Sequence, residues 1–168
     1  QGAHGIAEMI TSLSRMLEEI TKDTRKIVPL SEELSTVEDY FLIQNYRYFG
    51  NIAFEKEIAD PTLLDTPVPR FIIQPIIENA IFHGIEPKGK GTVRLIISEQ
   101  EDTIRIAIRD DGVGMSEEKI NSLLIIDPEE ARLDKVGIHN VNQRLLHTYG
   151  EAYRLTIKSV PDQHTEVT

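Results

Sequence analysis

The sequence has no cysteine among its 168 residues, so neither a disulfide framework nor a thiolate zinc site can organise it. No stretch approaches the ~20 apolar residues needed to span a bilayer, and the first residues lack the basic-then-apolar pattern of a signal peptide. Basic residues are in deficit, with 18 Lys and Arg against 28 Asp and Glu and a net charge of −10. That balance opposes non-specific attachment to nucleic acid or to an anionic membrane surface, and neither is expected as a partner. What is present is a 40% hydrophobic chain, enough for one core of ordinary size plus an appendage. It begins inside a helical pattern and stops inside a strand-like one, which reads as a piece of a longer protein.

Along the chain, Ile6, Ile10, Leu13, Leu17, Ile20, Thr24 and Ile27 alternate four and three apart, the spacing of a coiled-coil seam, and Met9 and Met16 widen the stripe. The expectation is a dimer helix; a helix lying on its own domain would show the same stripe. Val28-Pro29 ends it. Ser31, followed by Glu32 and Glu33, is read as the N-cap of a second helix running to about Tyr48, with the acids at its positive end.

Asn51 to Ile58 alternates as a strand, with Lys56 interrupting its apolar face. A proline-punctuated loop leads to a helix expected to start near Pro69 or Arg70, with a kink or a late start at Pro75. Thr92 to Ser98 and Thr103 to Arg109 predict two paired strands. Glu117 to Leu124 and the charged stretch Asp127 to Lys135 read as a lid. Gly137 to Tyr149 predicts a helix, Tyr153 to Val160 a strand, and another strand begins at Thr165. The tally gives an α+β fold, with helices on one face of a mixed sheet. The division expected is residues 1–48 as a partial helical dimerisation segment and 49–168 as a nucleotide-binding domain.

Three motifs carry the chemistry. In Gln74-Pro75-Ile76-Ile77-Glu78-Asn79-Ala80-Ile81-Phe82-His83-Gly84, Asn79 and His83 stand four apart on one helical face, opposite the apolar side. The amide oxygen of Asn79 suits Mg²⁺, which keeps waters and phosphate oxygens in its shell and takes few protein ligands. His83 can donate to phosphate.

Asp110-Asp111-Gly112-Val113-Gly114 ends a strand. A buried carboxylate there accepts from the exocyclic amine of adenine, and Gly112 and Gly114 let the base lie against main chain. Taken alone it would pass for a strand-ending turn. Gly137, opening a helix, would aim amides at phosphate, with Arg132 and Lys135 just before it.

These residues resemble the sensor histidine kinases, in the subgroup whose catalytic domain carries a Gln-Pro-x-x-Glu-Asn-Ala-x-x-His-Gly box. The resemblance runs from about Met9 to Thr168. It implies the Bergerat-type ATP-binding fold shared with gyrase, Hsp90 and mismatch-repair ATPases, a two-layer α/β sandwich, here with an N-terminal helical hairpin.

By that resemblance Asn79 would ligate Mg²⁺, Glu78 would support the box, and His83 would lie near the phosphates. Asp110 would bind adenine with Gly112 and Gly114 shaping its pocket, while Lys135, Gly137 and Asn140 would close the phosphate end beneath the lid. Arg144 matches an arginine in the family's Asn-Val-x-x-Arg-Leu segment, with no role assigned. The implied activity is phosphoryl transfer from Mg-ATP to a histidine. The implied partners are a second copy, through the N-terminal helices, and the receiver domain of a response regulator. The implied setting is the cytoplasmic domain of a membrane-anchored protein.

Departures are visible as well. The subgroup's acceptor histidine sits in a Pro-His-Phe-type motif that is absent here, and His4, in Ala-His-Gly, does not match it. Lys135 replaces the first glycine of a Gly-x-Gly pair, and His164 replaces the glycine of a usual Gly-Thr. Pro75 occupies the position where hydrolytic relatives carry a water-activating glutamate, so transfer to a side chain is favoured over hydrolysis. Two other readings fit in part: an anti-sigma-factor-type serine kinase, and a non-catalytic, nucleotide-sensitive dimerisation module.

Overall fold

The computed structural model describes residues 10–14, 25–124 and 133–168, with the side chains of 122, 124 and 133–136 outside the description. Its centre is a five-stranded mixed sheet. The strands are β2 (Ile52–Ile58), β4 (Gly91–Gln100), β5 (Thr103–Asp110), β6 (Ile157–Val160) and β7 (His164–Val167), in the order β2-β4-β5-β7-β6. β2 and β4 are parallel and the other neighbours antiparallel. A separate two-stranded ribbon pairs β1 (Ile27–Pro29) with β3 (Pro67–Pro69).

The period of two decides which way each strand residue points. Val93, Leu95 and Ile97 of β4 are fully buried and pair with Asp110, Ile108 and Ile106 of β5. Cross-strand partners share a face, so Asp110 belongs to the same inward row as the core isoleucines.

Three helices supply the apolar partners of that face: α1 (Leu30–Arg47), α2 (Gln74–Asn79) and α4 (Leu133–Tyr149), while α3 is Glu117–Leu124. Leu30, Leu34, Val37 and Phe41 of α1 lie in one core with Ile73, Ile77, Ile81 and Val141. Each such side chain contributes roughly 1.5–3 kcal/mol of burial.

Several sequence expectations shift. The seam residues from Ile6 to Thr24, apart from Ile10 and Leu13, lie outside the described residues, as does most of the stretch from Asp127 to Lys135. Ile10 and Leu13 are exposed on a helical stretch, while Ile27 belongs to a strand instead of the helix. Ser31 does not cap α1. The helix starts one residue earlier, and the first amide, Leu30 N, donates to Thr66 O at 2.9 Å because the ribbon brings that carbonyl alongside. Pro69 and Arg70 do not start α2, since Pro69 pairs with Ile27. The helix begins late, at Gln74, with Pro75 in its first turn, where the missing N–H costs little.

After Asn79 the helix widens into a π-helical segment, Ala80–Ile85. α4 begins four residues before Gly137. Glu151–Tyr153 forms a 3₁₀ turn, so the strand expected from Tyr153 starts only at Ile157.

Candidate functional site

The box and the Asp-Asp-Gly-Val-Gly run, 26 positions apart if counted from Gly84 to Asp110, are in direct contact. A Cβ on Gly84 would fall 2.4 Å from Asp110 Oδ1, and one on Gly112 would fall 2.2 Å from the Gly84 carbonyl carbon. Only hydrogen at both positions permits this approach. Val113 N donates to Gly84 O at 2.9 Å, which fastens the end of the π segment to the loop after β5.

Asp110 is 3% exposed, and its Oδ1 accepts from Gly112 N at 2.9 Å. Burial is the main reason its carboxyl is pushed up to about 6; the Gly112 amide opposes that rise and neighbouring Asp111 adds to it. A central strand end, with Val93 on one side and Thr165 on the other, holds it in place. Asp111 faces elsewhere: its Oδ1 accepts from Thr92 N at 2.8 Å and lies where a Cβ on Gly91 would be.

Gly114 has φ +65°, in the left-handed region where glycine is favoured, and a Cβ there would stand 2.1 Å from Val160 O. Asp162 N donates to Val113 O at 2.7 Å, and Met115 N to Ser159 Oγ at 2.8 Å. The loop after β5 is thereby locked to the β6–β7 hairpin. His164 opens β7, paired with Val160, half-buried and without disruption of the strand.

Asn79 ends α2 and His83 lies in the π segment; both are half-buried. A π segment inside a helix is uncommon and is often found at functional sites. Glu78 is held by Gln74 Nε2 at 2.9 Å. Across from it on α1, the Tyr40 hydroxyl is held well above its ordinary range, first by burial and then by the Glu78 charge.

At the other end of α2, Gly137 packs against Pro75, 3.5 Å from its Cβ to the glycine's would-be Cβ. Gly137 lies one turn inside α4, so its amide bonds within the helix and does not open it, a correction to the reading of Gly137 as a helix start. Asn140 is exposed, and the Lys135 side chain and Arg132 are outside the described residues. The helix from Pro75 to Gly84 thus runs from Gly137 to Asp110, over a length on the order of 14 Å. Asn79 stands near its middle.

Glu33 stands in the first turn of α1 as expected, and its carboxylate in addition accepts from the amides of Phe71, Ile72 and Ile73. Arg144 donates to the carbonyls of Arg70 and Phe71. Neither bond has a local sequence signal, because the partners are some 40 to 70 positions away in the chain.

A sequence model described as histidine kinase-, DNA gyrase B-, and HSP90-like ATPase matches residues 65–168, and one described as histidine kinase matches residues 1–52. Among relatives, the sensor histidine kinase YpdA of Escherichia coli is 32% identical over 88% of this chain and 26% of its own length. A putative uncharacterized protein of Bacillus subtilis, YwpD, is 32% identical over 98% of this chain and 57% of its own. The chain therefore spans between a quarter and just over half of these relatives.

Among solved structures, the catalytic domain of histidine kinase ThkA superposes with a TM-score of 0.60 at 16% identity, covering 84% of this chain and 90% of that one. The histidine kinase domain of an Erythrobacter litoralis EL346 blue-light activated kinase gives 0.56 at 16% identity, covering 99% of this chain and 79% of that one. At that identity the likeness speaks to fold alone.

Proposed function

Because the chain belongs to the histidine kinase-, DNA gyrase B- and HSP90-like ATPase family, we propose that it binds Mg-ATP and forms the catalytic portion of a sensor histidine kinase. The observation that carries this reading is the Asp110 carboxylate, buried beneath Gly84 and beside Gly112. A buried carboxylate in a cradle lined by glycine main chain is an acceptor for the exocyclic amine of adenine, which guanine lacks at that edge.

Asn79, Glu78 and His83 lie on the helix leading away from that carboxylate, toward Gly137 and Asn140, where we place the phosphates together with Lys135. Among the described residues no group of three His, Asp or Glu is placed to hold a metal ion. Mg²⁺ would be held by the Asn79 amide oxygen together with phosphate oxygens and water, and when bound it neutralises triphosphate charge. The remaining work falls to this chain's residues: Asp110, Gly112 and Gly114 orient the base, and His83 donates to phosphate.

In the transfer step the lone pair of a neutral imidazole forms an N–P bond to the γ-phosphorus. The bond to the β–γ bridging oxygen breaks with its electrons on ADP, and the ring's other N–H proton is released to water. The acceptor lies on a histidine outside this chain, and the phosphoryl group then passes to the receiver domain of a response regulator.

α1 buries its apolar face in the catalytic core, so we assign dimerisation to the residues before β1. No helix among the described residues is long and apolar enough to cross a membrane. We place the chain as a cytoplasmic domain whose membrane anchor belongs to other parts of the protein.

The test is incubation with γ-radiolabelled ATP, with and without a separate polypeptide bearing the subgroup's Pro-His-Phe-type motif. Label is expected only on that polypeptide. Label on this chain alone would contradict the absence of an internal acceptor.

A further inference from the structure

The turn between β3 and α2, Arg70 to Ile73, contains none of the residues assigned to nucleotide, yet two ionised side chains hold it from opposite sides. Phe71 adopts φ +59°, a conformation that side chains larger than Asn or Asp rarely take. Its amide and those of Ile72 and Ile73 donate to the single carboxylate of Glu33 at 2.7, 3.0 and 3.2 Å. Glu33 is 4% exposed. On the carbonyl side, Arg144 Nη1 donates to Arg70 O and, at 3.3 Å, to Phe71 O. An anion from α1 closes the amides and a cation from α4 closes the carbonyls, the stronger class of hydrogen bond in both cases.

This turn launches α2. Ile76 N and Ile77 N both donate to Ile73 O at 3.1 Å, and Asn79 follows as the last residue of a six-residue helix. So short a rigid element carries any rotation of its first turn directly to its last residue. A binding group needs placement to a fraction of an ångström, and supporting bonds of this kind supply it.

We infer that Glu33 and Arg144 are positioning residues of the nucleotide site, setting the direction of α2 and so the place of Asn79. The inference rests on the nucleotide reading of the site. It also gives α1, which directly follows the N-terminal segment through β1, a physical hold on nucleotide affinity.

Titration of the 168-residue chain with Mg²⁺ and adenosine 5′-(β,γ-imido)triphosphate tests it. Glu33→Gln and Arg144→Gln are each expected to raise Kd about tenfold at a temperature where both are folded, and Arg144→Lys, which keeps a charged donor, to recover part of the loss. Phe41→Leu removes a buried α1 ring that stacks on Phe54 of β2, about 12 Å along the helix from Glu33; it should lower the melting temperature and leave Kd unmoved. Kd within about twofold of wild type in both clamp variants overturns the inference, as does equal weakening in Phe41→Leu. Failure of the wild-type chain to bind overturns the nucleotide reading and this inference together.

Discussion

Burial holds the Asp110 carboxyl at about 6, against an ordinary 3.8, with the Gly112 amide opposing and Asp111 reinforcing the shift. The folded chain therefore keeps this proton to higher pH than the unfolded chain does. The stability it contributes is complete below pH ~4 and is lost as pH rises through ~6. At ~1.4 kcal/mol per pH unit of displacement, wild type should lose on the order of 2–3 kcal/mol between pH 4 and 7 relative to Asp110→Asn. Urea unfolding of both proteins across that range checks it, and parallel curves would contradict it. In binding, the sign reverses: an amine donor favours the ionised carboxylate, so nucleotide should bind more weakly below pH ~6.

At the scale of elements, the contact that matters is α2, with its π extension, against the end of β5. Gly84→Ala would put a Cβ 2.4 Å from Asp110 Oδ1 and 2.9 Å from its Cγ. The carboxylate is buried and bonded, so it must shift, at a cost of roughly 1–3 kcal/mol, and lose its aim at the base. The expected outcome is a folded protein with a lowered melting temperature and no measurable nucleotide affinity; unchanged affinity in calorimetry would contradict it.

Much of this element was legible beforehand. Alternation in Thr92 to Ser98 and Thr103 to Arg109 matches β4 and β5, and of the two outcomes expected at Pro75, a kink or a late start, the late start is the one found. The β1–β3 ribbon was not legible, because Ile27–Pro29 and Pro67–Pro69 are three residues each and contain prolines, too short to show a period. The π segment has no compositional mark. Glu33 obeys a local rule for helix starts while serving amides 38 to 40 positions away, and such long-range bonds leave no trace in a local pattern.

At the scale of the whole molecule, the sheet is a platform whose inward row ends in a carboxylate, and the helix layer carries the amide and imidazole groups past it. Two glycines, Gly84 and Gly112, make the layers meet closely enough for that arrangement, and a third, Gly114, lets the loop after β5 close on Val160 of the β6–β7 hairpin. The sequence motifs named the residues; only the packing showed that Gly84 and Asp110 touch, or that Gly137 stands against Pro75 at the far end. The most direct measurement is calorimetric titration of the chain with a non-hydrolysable ATP analogue, with and without Mg²⁺, beside Asp110→Ala. Saturable, Mg²⁺-dependent binding of one nucleotide per chain, abolished by the substitution, is predicted. No binding by the folded wild-type chain, or equal binding by Asp110→Ala, would contradict the assignment of Asp110 and its glycine cradle to adenine.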